Sequence, residues 1–445
     1  MKRFLALCLL FCLIPLAAPA EETVTLHVSE WEYVMLANRL DAFSAQYPHI
    51  KVEAASDAAN SIEEDIISGA GVDIYTVSAA GIYEQIVSKG YALPLASADL
   101  LAKGQRLIPA LQDICFRDGV LYALPSQLTL NHWTLDETGW LNVGYTLDEI
   151  PTTLQEFLTL YEDWIDRCGD FSDTYYFEGG TLEYLTGVLV RQYIAGHENK
   201  ETAVTFDDHF RQALRMLEEA RPLFEADRER MEALMNSGGY VWPLIFNYAI
   251  GFGYEGLDAH EARPLMIPAL NEDVPPFTEG EAFLYFVSAR TKHPEEAQLL
   301  LSFMLDQLSG KDEYMIYANM TEPVENAWFL EQLPQYTAEL EQVNEKLKNC
   351  AAEERQALEE RKTQLENNLS PDNERRWEIS PRDIAVHQSV AQNIKVPTKS
   401  LYLAKDSNCY ETLQSLITRF ASGSMTAENF VNEMERTCSL AFLEQ

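Results

Sequence analysis

Apolar and polar residues follow a strand-like pattern in three short stretches near the amino terminus. Residues 23–29 (TVTLHVS) alternate with the two-residue period of a half-buried strand. Ile50–Ala54 predicts a second strand, and residues 72–78 (VDIYTVS) predict a buried third one. Helical apolar spacing lies between these stretches, in residues 35–46 and 62–68. Strands that alternate with helices at this spacing predict a doubly wound α/β sheet.

The pattern changes in the second half of the chain. Residues 154–232 are mostly helical in their spacing, whereas residues 282–289 (AFLYFVSA) predict a strand. Over 334–369, leucines and other apolar residues recur three and four apart amid many Glu, Lys, Gln and Arg residues. This spacing predicts a long amphipathic helix or a helix pair. Two interpretations are open: a self-associating coiled coil, or an insert that folds onto its own domain.

The first twenty residues have the pattern of an export signal. Lys2 and Arg3 precede an apolar run over 4–16, and Ala18 and Ala20 provide the small residues of a cleavage site. The apolar run is shorter than the roughly 20 residues that span a bilayer. We therefore expect a signal peptide cut after Ala20 and a soluble protein outside the cytoplasm. Bulky residues precede Cys8 and Cys12, so no lipid-attachment motif is recognised.

Composition limits the classes of partner. Asp plus Glu number 70 against 33 for Lys plus Arg, so the formal net charge is −37, which argues against a nucleic acid or an anionic membrane surface as ligand. Hydrophobic residues make up 47%, enough to build the cores of two or three domains.

Five cysteines remain after the predicted cleavage, at widely scattered positions. They are Cys115, Cys168, Cys350, Cys409 and Cys438. No C-x-x-C pair points to zinc or redox chemistry, and buried thiols are the favoured interpretation. One disulfide is compatible with the sequence, but the sequence does not choose the pair.

Several segments, in order along the chain, carry short motifs. They are residues 40–53 (LDAFSAQYPHIKVE), 69–95 (GAGVDIYTVSAAGIYEQIVSKGYALPL), 118–125 (DGVLYALP), 283–304 and 420–433 (FASGSMTAENFVNE). Together these segments resemble the family 1 extracellular solute-binding proteins, the maltose-binding-protein-like receptors of ABC importers. Residues 118–125 match the "DGK.YALP" element of that family closely, and the other segments are similar to its opening, its next segment and its later elements, in the same order.

The resemblance implies a two-lobed, type II periplasmic-binding-protein-like α/β fold with a ligand cleft between the lobes. We expect lobe one to contain residues 21–127 plus about 280–325. Lobe two would contain 128–279 plus about 326–445, including the helical insert 334–369. The crossings between lobes would lie near 126–131, near 268–281 and near Pro323.

The same resemblance implies which residues line the cleft. A sugar needs aromatic faces for its C–H groups and short polar side chains for its hydroxyls. The expected ligand-binding residues are Trp31, Ser78, Gln127, Thr129, Trp242, Glu281 and Tyr410. For Trp31, Trp242 and Tyr410 the alternative is ordinary core packing. Glu30 and Glu32 are interpreted as solvated charges unless the ligand is a cation.

The expected function is that of a non-enzymatic, monomeric receptor. It would capture a small solute and deliver it to an ABC transporter permease. A mono- or oligosaccharide is the favoured class of solute. No cofactor or metal site is predicted, because no phosphate loop, zinc helix or EF-hand loop occurs. Three alternatives stay open: a cation or polyamine receptor of the same fold that uses acidic residues such as Glu281, a secreted carbohydrate-active enzyme, and a sensor-associated binding protein.

Overall fold

The structure is a computed structural model, and it describes most of the chain from residue 23 onward. The described residues are 23–55, 62–69, 71–79, 83–167, 175–177, 181–198, 201–236, 242–250, 262–265, 278–308, 310–371, 373–396, 402–403 and 408–443. The predicted signal peptide and the side chains of Trp31 and Trp242 lie outside this description.

The strands are numbered along the described residues. They are β1 (Val24–Val28), β2 (Ile50–Ala54), β3 (Ile74–Ser78), β4 (Phe116–Arg117), β5 (Val120–Leu121), β6 (Ala123–Asp136), β7 (Tyr175–Phe177), β8 (Trp242–Ile250), β9 (Ala262–Leu265), β10 (Thr278–Val287), β11 (Val324–Glu325), β12 (Trp377–Ile379) and β13 (Ile394–Lys395).

The helices of the first half are mostly short. They are α1 (Glu30–Leu36), α2 (Leu40–Gln46), α3 (Ile62–Ser68), α4 (Tyr83–Ser88), α5 (Ala98–Arg106), α6 (Pro109–Cys115), α7 (Glu137–Asn142), α8 (Leu154–Arg167), α9 (Thr181–His197) and α10 (Asp208–Asn236). The later helices are α11 (Pro294–Leu305), α12 (Gly310–Ile316), α13 (Ala327–Asn349), α14 (Ala352–Leu369), α15 (Pro381–Ala391), α16 (Asn408–Ala421) and α17 (Ala427–Leu443).

One mixed sheet connects both halves of the molecule. Its strand order is β2-β1-β3-β10-β6-β8-β7, with β13 paired to β10 and β9 paired to β6. β2, β1 and β3 are parallel, as expected for strands joined by helices, whereas β10 runs antiparallel to both β3 and β6. The α/β class predicted from the alternation of strands and helices is therefore confirmed.

Strand β6 is long enough to belong to two structural units. Its first part pairs with β10, up to the pair of Asn131 with Glu279. Its last part pairs with β8 and β9, as in the pair of Leu135 with Ile245. Leu130 packs in one hydrophobic core and Leu135 in another, so this strand carries the chain from the first to the second.

Two separate cores define two lobes. The first core uses buried residues from 24–130, 282–317 and 379–394, and the second uses residues from 135–224 and 402–438. Followed through the described residues, the chain therefore passes between the cores three times. The last passage follows Ile394, whereas the sequence prediction placed it near Pro323 and assigned all of 326–445 to lobe two. Pairing of β12 with β11 and of β13 with β10 holds this segment on the first lobe.

The helices α13 and α14 form an antiparallel pair outside both cores. They contact each other along their length, and Arg361 of α14 makes two contacts with the Glu339 carboxylate, at 2.8 and 2.9 Å. Val343 and Leu365, one on each helix, are buried. The predicted helical insert is confirmed, and its two helices pack against each other. The segments before α13 and after α14 are joined by a hydrogen bond from the Asn326 backbone N–H to the Arg376 carbonyl.

Candidate functional site

The carboxyl ends of β1 and β3 meet at one edge of the first lobe. Ser29 follows β1, and its side chain accepts a hydrogen bond from the backbone N–H of Glu32, which caps α1. This cap fixes Glu32 in the first turn of the helix, next to the end of β3. Such edges, outside the carboxyl ends of the strands, are where open α/β sheets place their ligands.

Glu32 is the centre of a buried polar group. The residue is only 3% exposed, and its two carboxylate oxygens accept hydrogen bonds from Thr76 Oγ1 at 2.6 Å and from the Tyr285 hydroxyl at 3.1 Å. Thr76 and Tyr285 are direct partners across β3 and β10. The interpretation of Glu32 as a solvated charge is therefore wrong, whereas Glu30 is exposed as expected.

The Glu32 carboxylate also fixes the state of the tyrosine. Burial, and then the negative charge of Glu32, raise the pKa of Tyr285 well above its ordinary value. The phenol consequently stays protonated and donates to Glu32 throughout the neutral range. Glu32 thus holds the tyrosine ring in place on the face of the sheet.

Three side chains form a row across neighbouring strands beside this group. Ser78 of β3 is paired with Phe283 of β10, and Phe283 is paired with Gln127 of β6. Direct partners in antiparallel strands project from the same face of the sheet. Phe283 is 37% exposed and Gln127 is exposed, although both lie in the middle of the sheet. Among the described residues, Ser78 Oγ is buried without a hydrogen-bond partner.

Two further predicted residues lie on the same face. Glu281 precedes Phe283 by two positions on β10, and alternation along a strand puts both on one side. Glu281 is paired with Thr129 of β6, whose Oγ1 donates to the Glu281 carbonyl at 3.4 Å. The structure thus brings together four predicted site residues: Ser78, Gln127, Thr129 and Glu281.

The opposite face of the same strands is closed. Ala282, Leu284 and Phe286 alternate with the exposed positions of β10 and are fully buried in the first core. The difference between the two faces explains why an aromatic ring and an amide can be accessible in central strands. An accessible ring beside an exposed amide can contact both the apolar and the polar groups of one ligand.

The second lobe carries a cavity of about 280 Å³ between α9 and α16. It is lined by Glu183, Tyr184, Gly187, Arg191, Gln414 and Ile417. Arg191 Nε lies 2.5 Å from Glu279 Oε2 on β10, and both side chains are largely buried. This ion pair ties the cavity wall to the strand that carries Glu281 and Phe283.

The three predicted aromatic contacts have different positions. Tyr410 is half-buried in the first turn of α16, one turn before the cavity-lining Gln414. Trp31 lies in the first turn of α1, next to Glu32, and Trp242 begins β8. Since the side chains of Trp31 and Trp242 lie outside the described part of the chain, their contacts with a ligand stay a prediction, as do those of the other predicted residues.

Several residues that build this face were not predicted from the sequence. Phe283, Tyr285 and Thr76 lie within strands that the pattern predicted, and the alternation of AFLYFVSA would have marked Phe283 and Tyr285 as facing away from the core. No local signal could have found the ion pair of Arg191 with Glu279. Within the described residues, no group of three or more His, Cys, Asp and Glu side chains is arranged to hold a metal.

No family model matches the sequence, and no curated relative matches it. Solved structures do match it over nearly its whole length. A cyclic α-maltosyl-1,6-maltose binding protein from Arthrobacter globiformis is 14% identical, with a TM-score of 0.54 and coverage of 95% of this chain and 99% of that one. A family 1 extracellular solute-binding protein from Bifidobacterium longum subsp. infantis is 12% identical, with the same TM-score and coverage of 95% and 100%.

The protein has the fold of a two-lobed solute-binding protein. The apo form of RafE from Streptococcus pneumoniae gives a third match, with 12% identity, a TM-score of 0.54 and coverage of 96% and 100%. The type II periplasmic-binding-protein-like fold predicted from the resemblance is therefore confirmed, with its helical insert. In this binding-protein fold the face around Phe283 belongs to the first lobe and the cavity beside Arg191 to the second. No described helix is long and apolar enough to cross a membrane.

Proposed function

We propose that the protein is a solute-binding receptor that takes up a mono- or oligosaccharide between its lobes and delivers it to an ABC transporter permease. The observation that carries this proposal is the row of Ser78, Phe283 and Gln127 on an open face of the central strands. Sugar recognition needs an aromatic surface next to hydrogen-bonding groups, and this row provides both.

Hinge closure is supported by the way the lobes are connected. The two cores are separate and are joined through β6, through the segment before β10 and through the segment after β13. Two packed lobes linked by strands can close around a ligand with little change inside either lobe. The ion pair of Arg191 with Glu279 lies at this connection and would take part in the motion.

The solved structures of the same fold support a saccharide as the solute class. One is RafE in complex with raffinose, with 12% identity and a TM-score of 0.52. Another is an ABC substrate-binding protein from Listeria monocytogenes in complex with cycloalternan, with 15% identity and a TM-score of 0.51. We carry the class of ligand over to this chain, and not the particular sugars.

A thermal-shift screen tests the proposal directly. A ligand that binds only the folded protein stabilises it by about 2.7 kcal/mol at a concentration of 100 times its Kd. We expect one class of saccharide to raise the Tm, and polyamines and divalent cations to leave it unchanged. A rise with polyamines or cations alone would instead support the cation receptor. Recovery of the bound sugar in altered form would support a secreted enzyme.

Substitutions then test the site. Phe283→Ala and Trp242→Ala should each weaken binding of the sugar found in the screen by about 1–3 kcal/mol, the range for loss of a stacked aromatic contact. Trp328→Ala is the matched control, because Trp328 is an exposed aromatic on the α13–α14 pair. Equal affinities of the Phe283 variant and the wild type would show that the row of Ser78, Phe283 and Gln127 does not bind the sugar.

Glu281 separates the saccharide receptor from the cation receptor. A cation would need the charge of a carboxylate, whereas a sugar hydroxyl can bond to an amide as well. We expect Glu281→Gln to change the affinity for the sugar only slightly. A loss of binding of more than about tenfold, or 1.4 kcal/mol, would favour the cation receptor.

Export is part of the same proposal. We propose that residues 1–20 are removed on export and that the protein acts outside the cytoplasm as a monomer. Amino-terminal sequencing of the protein secreted by an exporting host should begin at Glu21. Light scattering of that material should give the mass of one chain.

A further inference from the structure

The last two helices of the chain pack as an antiparallel hairpin in the second lobe. α16 ends at Ala421, Gly423 turns with a φ of +77°, and α17 begins at Ala427. Near the turn the rings of Phe420 and Phe430 stack with centroids 4.9 Å apart. The buried residues of α16 are Cys409, Leu413, Leu416, Ile417 and Phe420, and those of α17 are Ala427, Phe430, Val431, Met434 and Cys438. The two helices thus share one apolar seam.

A cysteine stands at the far end of this seam on each helix. The buried positions of the two helices recede from the turn at the same spacing, so Cys409 and Cys438 lie at the same level of the seam. Both are buried in the second core, and their side chains interact with each other. The other described cysteines lie elsewhere: Cys115 is buried in the first core, and Cys350 follows α13. Cys168 lies outside the described residues. Among the described cysteines, the fold brings these two sulfur atoms together.

We propose that Cys409 and Cys438 form a disulfide bond when the chain folds in an oxidising compartment. This inference rests on the proposed export, since disulfides persist outside the cytoplasm. The oxidant is a disulfide of low molecular weight or of a thiol–disulfide oxidoreductase, written RSSR. Two thiols and one RSSR give the Sγ–Sγ bond and two RSH molecules, so the cysteines are oxidised, RSSR is reduced, and both thiol protons end on the released thiols.

The surroundings of the two thiols determine when the bond forms. The contact with Cys409, and then burial, raise the pKa of the Cys438 thiol, which disfavours the thiolate that must attack a disulfide. Once the second core has closed, the reaction is therefore slow. The bond forms while α16 and α17 are coming together, before the seam is buried. The packing of the two helices favours the bond, because it brings the two sulfur atoms near to the covalent distance of about 2.05 Å.

Peptide mapping identifies the bridge without any substitution. Each mature cysteine lies in a different tryptic peptide: residues 107–117, 168–191, 349–355, 406–419 and 437–445. The exported full chain is denatured in acid, alkylated without reduction and digested. We expect peptides 406–419 and 437–445 to be joined, with a mass two hydrogen atoms below the sum of the two thiol peptides. Their recovery as separate alkylated peptides, or a bridge from either to peptide 168–191, would overturn the proposal.

Refolding tests the chemistry independently of export. Reduced protein refolded from urea with a mixture of oxidised and reduced glutathione should form the bridge, whereas folded reduced protein should form it far more slowly.

The loop closed between the two cysteines predicts that reduction lowers the Tm by on the order of 5–10 °C. The same decrease is expected in Cys350→Ser, and none in Cys438→Ala. Equal Tm values for oxidised and reduced wild type, with no linked peptide, would refute the inference.

Discussion

Gly280 lies where the strands that connect the two lobes converge. It is buried on β10, opposite Leu130 of β6, and β13 pairs with the same end of β10. A Cβ atom added at Gly280 would lie 3.0 Å from Leu128 Cδ1 and 3.2 Å from both Ile394 Cγ2 and Val396 Cγ2. Such distances are well below the roughly 3.5–4.0 Å of an unstrained carbon–carbon contact.

Replacement of Gly280 by alanine therefore has two opposing effects. Alanine loses less conformational entropy than glycine on folding, which favours the variant by about 0.5–1 kcal/mol. An extra carbon forced into a packed core costs about 1–3 kcal/mol. Leu128 and Ile394 are buried in the first core and have little room to retreat. We expect the steric cost to dominate, so that Gly280→Ala lowers the free energy of unfolding by about 1–2 kcal/mol.

Urea unfolding followed by circular dichroism measures this change. Gly310→Ala is the matched control. Gly310 is the first residue of α12, and a Cβ atom there would contact only Ile379 Cδ1, at 3.7 Å. The control should be as stable as the wild type or slightly more stable. A Gly280 variant with an unchanged or increased free energy of unfolding would refute the packing argument at the junction of the three strands.

Two other parts of the structure give testable predictions. Asp227 is fully buried on α10 and accepts hydrogen bonds from Tyr161 at 3.3 Å, from Trp164 at 3.4 Å and from Arg230 at 2.6 Å. Asp227→Ala leaves the arginine charge without its carboxylate and should lower the free energy of unfolding by about 3–5 kcal/mol in urea titrations; a loss below about 1 kcal/mol would contradict the importance of this cluster. Burial raises the pKa of the Asp227 carboxyl, and its bonds to Arg230, Trp164 and Tyr161 lower it only in part. The raised pKa makes the contribution of this carboxyl to stability largest below about pH 4, the ordinary range of Asp, and smaller as the pH rises through the folded-state pKa. Asp227→Asn should therefore gain stability relative to the wild type between acid and neutral pH, and parallel pH profiles would refute the direction of the shift. Replacement of residues 327–375 by Asn-Gly should leave both lobes folded, with a Tm close to that of the wild type, because Asn326 and Arg376 already form the last backbone hydrogen bond of a strand pair. A larger deletion that also removes Ile379 from the first core should unfold that lobe, and equal Tm values of the two deletions would contradict the proposed independence of the α13–α14 pair.

Local patterns along the chain are sufficient for much of the architecture. The alternation in 23–29 and the apolar run in 72–78 locate β1 and β3, because neighbouring side chains on a strand face opposite sides of the sheet. The apolar spacing of 334–369 locates the helix pair for the corresponding reason, since residues three and four apart share one face of a helix.

The face around Phe283 depended on contacts between distant segments. Glu32 was interpreted as a surface charge because nothing near it in the sequence provides a partner. Its partners, Thr76 and Tyr285, come from β3 and β10, and only the pairing of these strands brings their hydroxyl groups together. Sequence resemblance did select Ser78, Gln127, Thr129 and Glu281, which the strand register places on one face of the sheet.

The sequence by itself determined the elements whose information is local: the periodic strands, the amphipathic helix pair, the predicted signal peptide and the excess of acidic residues. Only the tertiary structure decided which of these elements meet. It placed the last passage between the lobes after Ile394, it buried Glu32, and it brought Cys409 next to Cys438. The physical reason is that periodicity reports which side of an element is apolar, whereas strand pairing and helix packing between distant segments decide what that side contacts.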